Sequence, residues 1–168
     1  MSNQSDILVG STKGTVWIKV EGRGNFENSP NIKELAKTMI SKGSSSFILD
    51  LEQCELMDST FLGTLASVAF NLREVEGGEL RVINANERNF TLLESLGLDH
   101  LFDIEADANQ EVPKHLMQAP ATGGTKIEDQ REVILTAHEA LVEADPRNEV
   151  RFRDVIDFLR NEISESEG

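Results

Sequence analysis

The chain has 168 residues and a net charge of −14, from 30 acidic and 16 basic side chains. So acidic a chain is repelled by phosphate backbones and anionic membrane surfaces, which sets nucleic acid and lipid head groups aside as partners. Apolar residues make up 39%, aromatics 5%, and Tyr is absent, enough for an aliphatic core in one domain with an appendage.

The first ten residues, MSNQSDILVG, are polar, with neither a basic nor an extended apolar stretch, so no secretory signal is expected. Residues 7–11 and 14–21 read as two strands, the second showing Val16, Ile18 and Val20 on one face, and Thr12, Lys13 and Gly14 suit a tight hairpin turn. The segment GRGNFENSPN is a loop that places Ser29 as an N-cap and Pro30 as the first helical residue. Ile32, Leu35, Ala36, Met39 and Ile40 recur at helical spacing until Gly43. Residues 47–51, FILDL, form a short apolar run suited to a buried central strand. Residues 61–72 carry Leu62, Leu65, Ala69 and Leu72 on one helical stripe, with Gly77 and Gly78 as the stop. Residues 80–84 read as a strand, 89–95 as a short helix ended by Gly97, and 101–104 as a last short strand. This alternation predicts an α/β sandwich with a mixed, mainly parallel sheet of four to five strands over residues 1–104.

Residues 105–126, with two Pro, a Gly pair and no clean period, read as a flexible linker. Residues 127–163 then hold two amphipathic stretches separated by Asp145 and Pro146, a helical hairpin, and 164–168 form an acidic, frayed tail. Ile134, Leu141, Val155, Ile156 and Leu159 lie on faces that water should not see, so the hairpin must pack on its own domain or pair in trans. Of these, a homodimer through paired hairpins is the expected solution.

Few residues here can carry chemistry. The lone Cys54 excludes an intramolecular disulfide, points to a reducing compartment, and sits beside Glu52 and Glu55, which raise a thiol pKa. His100, His115 and His138 lie far apart with no His or Cys nearby, so no metal site and no Ser-His-acid set follows from spacing. Gly22 and Gly24 follow a strand, but neither a third Gly nor an immediate helix completes a dinucleotide fingerprint. The richest stretch is 47–72, where a buried strand leads through a short loop into Asp58, Ser59 and Thr60 and then directly into an apolar helix. Asp58 or Ser59 can serve simply as the helix cap. The same helix start would also tolerate a phosphate ester, because first-turn N–H groups and the helix dipole favour negative charge.

The run ILDL, six residues, then MDSTFLGTL, set in a β-β-α-β-α order, resembles the STAS domain of bacterial anti-sigma factor antagonists. Residues 48–51, Asp58, Ser59, Leu62, Gly63 and Leu65 match the family pattern, and the likeness covers roughly residues 7–104. The resemblance implies a non-enzymatic cytoplasmic regulator without a cofactor. Its partners would be an anti-sigma factor that is also a serine kinase, and a phosphatase. It implies further that Ser59 is the phosphoacceptor, flanked by Asp58 and Thr60. At two places the sequence departs from the pattern. Phe61 stands where the family has Gly, which predicts a partly exposed aromatic that touches the partner. The early Gly-x-Leu-Asp loop reads Gly22, Arg23, Gly24, Asn25, which places Asn25 at the partner face without the usual Asp. The alternative is a STAS adaptor of a transporter or larger assembly, with Ser59 only a cap.

Overall fold

Lys13 and Gly14 both take positive φ, 52° and 81°, the two-residue turn whose twist matches that of an antiparallel pair. It joins β1 (Asp6–Thr12) to β2 (Thr15–Gly24) in a register that sets Thr12 opposite Thr15. The computed structural model describes residues 5–106, 111–119 and 127–167, with side chains from 130 to 165 in the last of these. After α1 (Ser29–Ser41) come β3 (Ser46–Asp50), β4 (Cys54–Met57), α2 (Ser59–Arg73), β5 (Glu79–Ile83) and α3 (Glu87–Ser95). A short 3-10 turn (Leu98–His100), β6 (Asp103–Glu105), β7 (Met117–Gln118), α4 (Ile127–Ala144) and α5 (Asn148–Glu167) complete the order.

The sheet runs β6-β5-β3-β2-β1-β7, with β4 paired to the far end of β2. Strands β2, β3, β5 and β6 are mutually parallel where they pair, β4 is parallel to β2, and β1 and β7 are antiparallel to their neighbours. The fold is therefore the mixed, mainly parallel α/β sandwich expected, with seven strands instead of four to five. The two extra strands, β4 and β7, are four and two residues long.

Period-two alternation divides the sheet's faces. Val16, Ile18, Val20, Phe47, Leu49, Leu80 and Val82 belong to the main core with Ile32, Ala36, Leu62, Leu65, Leu72 and Leu93 of the helices. Trp17, Ile48 and Ile83 lie on the other face, under Val112 and Leu116. Part of the stretch read as a linker thus lies on the sheet, and Met117 pairs with Val9. Residues 107–110 and 120–126 of that stretch fall outside the described residues.

The C-terminal hairpin forms a third layer. Helix α4 lies on α2, and α5 on α4. Ala140 and Leu141 join the main core, and Ala137, Ile156 and Leu159 are buried. At the hairpin corner, Asn148 is buried and its Nδ2 donates to the carbonyls of Leu96 (3.0 Å) and Leu141 (2.7 Å), bolting the hairpin to the end of α3. The apolar seam expected to pair with a second chain is covered instead by α2 of the same chain. Val155, expected to be hidden, is exposed, and Ile134 is half-buried. Helix α5 continues through most of the acidic residues expected to fray, ending at Glu167.

Candidate functional site at the start of helix α2

Pairing of β2 with β3 ends at Lys19, and beyond it β2 runs parallel to β4 with a register irregularity after Gly22, pairing Arg23 with Leu56 and Gly24 with Met57. Strands paired in parallel deliver their ends to the same place. The loop after β2, residues 25–28, therefore meets the start of α2, and Asp58 N donates to Gly24 O at 2.9 Å.

Asp58 is the N-cap of α2. Its Oδ1 accepts from Phe61 N at 2.8 Å, and its Oδ2 accepts from Phe26 N at 2.9 Å. One carboxylate thus satisfies a first-turn donor of the helix and clamps the neighbouring loop. Of the two caps the sequence allowed, Asp58 takes the role and Ser59 is the first helical residue.

Asn25 organises the loop rather than extending from it. Its Oδ1 accepts from the amides of Glu27 and Asn28, and its carbonyl accepts from the Ser29 hydroxyl at 2.8 Å. Ser29, expected as the cap of α1, is instead buried in the first turn, and Asn28 occupies the cap position without a side-chain cap bond. The apolar residue that does extend from this loop is Phe26, which is 42% exposed beside the Asp58 clamp. No sequence signal marks Phe26, because it lies in an irregular segment with no hydrophobic period.

Phe61 corrects a sequence-based expectation. It is 0% exposed and sits in the main core, with its ring so close over Gly24 that a Cβ on Gly24 would come within 2.7 Å of it. The aromatic occupies space left by an absent side chain on β2, so it is a packing residue. Thr60 is likewise buried, its carbonyl accepting from the Thr64 hydroxyl at 2.9 Å, so it does not line an open site.

Ser59 is half-buried, and its Oγ lies 2.9 Å from Nε2 of His138 on α4. The other ring nitrogen, Nδ1, is 2.7 Å from the Ile134 carbonyl, which can only accept, so Nδ1 carries a proton. In the neutral ring Nε2 is then the acceptor for the Ser59 hydroxyl. His138 is buried and packs edge-on against Phe152 of α5, with ring centroids 5.0 Å apart. One turn along α2, Gly63 passes so near Ala137 that a Cβ there would meet the backbone of α4. Spacing could not pair Ser59 with His138, because 79 residues separate them.

The remaining polar candidates lie elsewhere. Cys54 is buried, and its thiol is pushed up to about 11, chiefly by burial, with Glu55 adding a smaller push in the same direction. Gly22 and Gly24 are strand residues paired to β4, not a phosphate-binding turn. At the carboxyl ends of β3 and β5 a cleft of about 540 Å³ is lined by Glu52, Asn84, Asn86, Glu87 and Phe90. His100 lies by Asp99. Among the described residues, no helix is long and apolar enough to cross a membrane.

A scan against family models matches the STAS domain over residues 7–110. The anti-sigma-B factor antagonist of Bacillus subtilis (strain 168) is 26% identical over 101 residues, covering 60% of this chain and 91% of that protein. Among solved structures, an anti-sigma factor antagonist from Mycobacterium paratuberculosis superposes with a TM-score of 0.53 at 19% identity, covering 62% of this chain and 88% of its own. SpoIIAA, a Bacillus cell fate determinant solved in its phosphorylated form, gives 0.52 at 21% identity, covering 62% and 92%. The two structural likenesses speak for the fold. The family match ends at residue 110, before α4 and α5 begin.

Proposed function

This chain belongs to the STAS domain family, and from that premise we propose that it acts as an anti-sigma factor antagonist-like signalling protein switched by phosphorylation of Ser59. In this reading it binds a kinase-type anti-sigma regulator in the cytoplasm, a phosphatase resets it, and it performs no catalysis of its own. The observation that carries the reading is the position of Ser59 as the first residue of α2, next to the Asp58 cap. A phosphate there would add roughly −1.5 to −2 charges at a helix start, where the backbone tolerates an anion. That charge is enough to turn an apolar and hydrogen-bonded docking contact into an unfavourable one. Phe26, exposed beside Asp58, supplies an apolar anchor for the regulator. The relatives point the same way: one is named an anti-sigma-B factor antagonist, and another is a phosphorylated protein.

Phosphopeptide mapping of the protein isolated from its host under several growth conditions tests the reading. Phosphate on Ser59, together with constitutive regulator binding by Ser59→Ala and weak binding by Ser59→Asp, is the expected result. Unmodified Ser59 under every condition, with both variants binding like the parent, overturns it.

A second reading, a STAS adaptor in a larger assembly, is favoured by one observation. The Ser59 hydroxyl already has a buried partner in His138, as a purely structural serine would. A homodimer through the C-terminal helices would have to use the outer side of α5, where Val150, Val155 and Phe158 are exposed.

A further inference from the structure

We infer that the hairpin of α4 and α5 is an intramolecular cap on the Ser59 corner, closed when Ser59 is unmodified and expelled when Ser59 carries a phosphate. The inference rests on the reading of Ser59 as phosphoacceptor and concerns what modification does to this chain itself.

Three observations support it. First, the Ser59 hydroxyl is in direct contact with His138 at 2.9 Å, so a phosphorus atom with three further oxygens has no room between them. Second, α4 cannot give way by a small local shift. One turn along, Ala137 touches Gly63 at backbone level, and on the other side the His138 ring is backed by Phe152. Interdigitated packing of this kind has two arrangements, seated or parted, and not a continuum between them. Third, charge opposes retention. Residues 130–165 hold nine acidic and five basic side chains, and the Asp58 carboxylate lies beside Ser59, so added phosphate meets a net negative layer.

The cap occupies the face of α2 that a kinase or regulator must approach to reach Ser59. Cis closure and trans docking therefore compete, and a partner captures the unmodified chain from its open fraction. After phosphorylation the hairpin stays open, while the phosphate charge itself opposes renewed docking of the regulator. By linkage, whatever opens the hairpin raises the accessibility of Ser59, and phosphate on Ser59 keeps the hairpin open. The family match stops at residue 110, so this layer is an addition to the STAS unit of this chain.

Full-length protein carrying phosphoserine at position 59, installed by genetic code expansion, tests the cap without any kinase. Amide hydrogen exchange is compared with that of the unmodified chain. The expected result is at least about tenfold faster exchange over residues 133–141 of α4, with α1 and the sheet unchanged, as for local opening of one element. Equal protection of α4 in the two proteins overturns the cap. Slower exchange also overturns it, because the phosphate would then pair with a protonated His138 and hold the hairpin down. Loss of protection throughout the molecule overturns it too, since the hairpin and sheet would then be one unfolding unit. Ser59→Asp provides a second measurement and should accelerate α4 exchange in the same direction by a smaller factor. These outcomes are independent of whether the host phosphorylates Ser59, so failure here is distinct from failure of the phosphoswitch.

Discussion

Gly63 of α2 and Ala137 of α4 touch at backbone level, and this approach fixes how deeply the C-terminal hairpin sits on the STAS unit. Gly is otherwise a poor helix residue, less favourable than Ala by about 1 kcal/mol. Gly63→Ala gains that propensity but drives a methyl group into the Ala137 backbone, and overpacking of this kind costs about 1–3 kcal/mol. The clash should win. Urea denaturation is expected to show a small net loss of stability, with faster hydrogen exchange over α4 and unchanged exchange in α1. A stabilised variant with α4 still protected would show that the helices can part at no cost.

Phe61 fills the space above Gly24 and is fully buried. Phe61→Ala should therefore lose about 3–5 kcal/mol of folding stability, as a core aromatic does. Thermal and urea unfolding measure it, and a loss under about 1 kcal/mol would return Phe61 to the surface role its sequence position suggests.

The Asp58 carboxylate holds two amides, one in its own helix and one in the loop after β2. Asp58→Ala should cost about 1–2 kcal/mol, the upper part of the range for a lost cap. Asp58→Asn, which keeps one acceptor oxygen, should cost less. Equal losses for the two variants would mean that charge, not the two hydrogen bonds, fixes this corner.

The corner between α4 and α5 gives a pH dependence. Hydrogen bonds from Arg147 hold the Asp145 carboxyl down to about 2, below the value of about 3.9 for a free Asp. A depressed carboxyl pKa contributes stability that is fully present above the unfolded-state value and is lost as pH falls through the folded-state value. Unfolding midpoints of the parent and Asp145→Asn should differ at pH 5–7 and converge between about pH 4 and pH 2. A difference that persists unchanged at pH 2 would assign the effect to packing against Gly97, which lies directly against Asp145.

Much of the fold is legible in the sequence because its signals are local. Alternation at Val16, Ile18 and Val20, the turn at Lys13 and Gly14, the stripe Leu62, Leu65, Ala69 and Leu72, and the glycine stops all act within a few residues. Strand β4 escaped because only Cys54 and Met57 of its four residues are buried, too few to set a period. Strand β7 escaped because two exposed residues, Met117 and Gln118, carry no pattern. At the site, the Asp-Ser step and the helix start could be read directly. The burial of Phe61 could not, since it depends on a missing side chain at Gly24, 37 positions earlier on another element. Nor could the pairing of Ser59 with His138, which exists only because α4 happens to cross α2 at Gly63. An amphipathic stretch announces that it needs a partner without announcing which one.

Strand β1 has seven residues, and its outer edge pairs with only two residues of β7, Met117 and Gln118. Beneath the same segment, Val112 and Leu116 shield Trp17, Ile48 and Ile83 from water. Residues 111–119 thus cover the middle of an edge strand and an apolar patch with a single short pass of chain. An unprotected edge offers a row of free amides and carbonyls to any other extended chain. A fragment ending at residue 104, where sequence periodicity ends, or at 110, where the family match ends, would leave that row open. Such fragments should associate by strand addition more readily than a chain that reaches Ala119, whose amide donates to the Ile7 carbonyl at 2.8 Å, and light scattering of the two compares them.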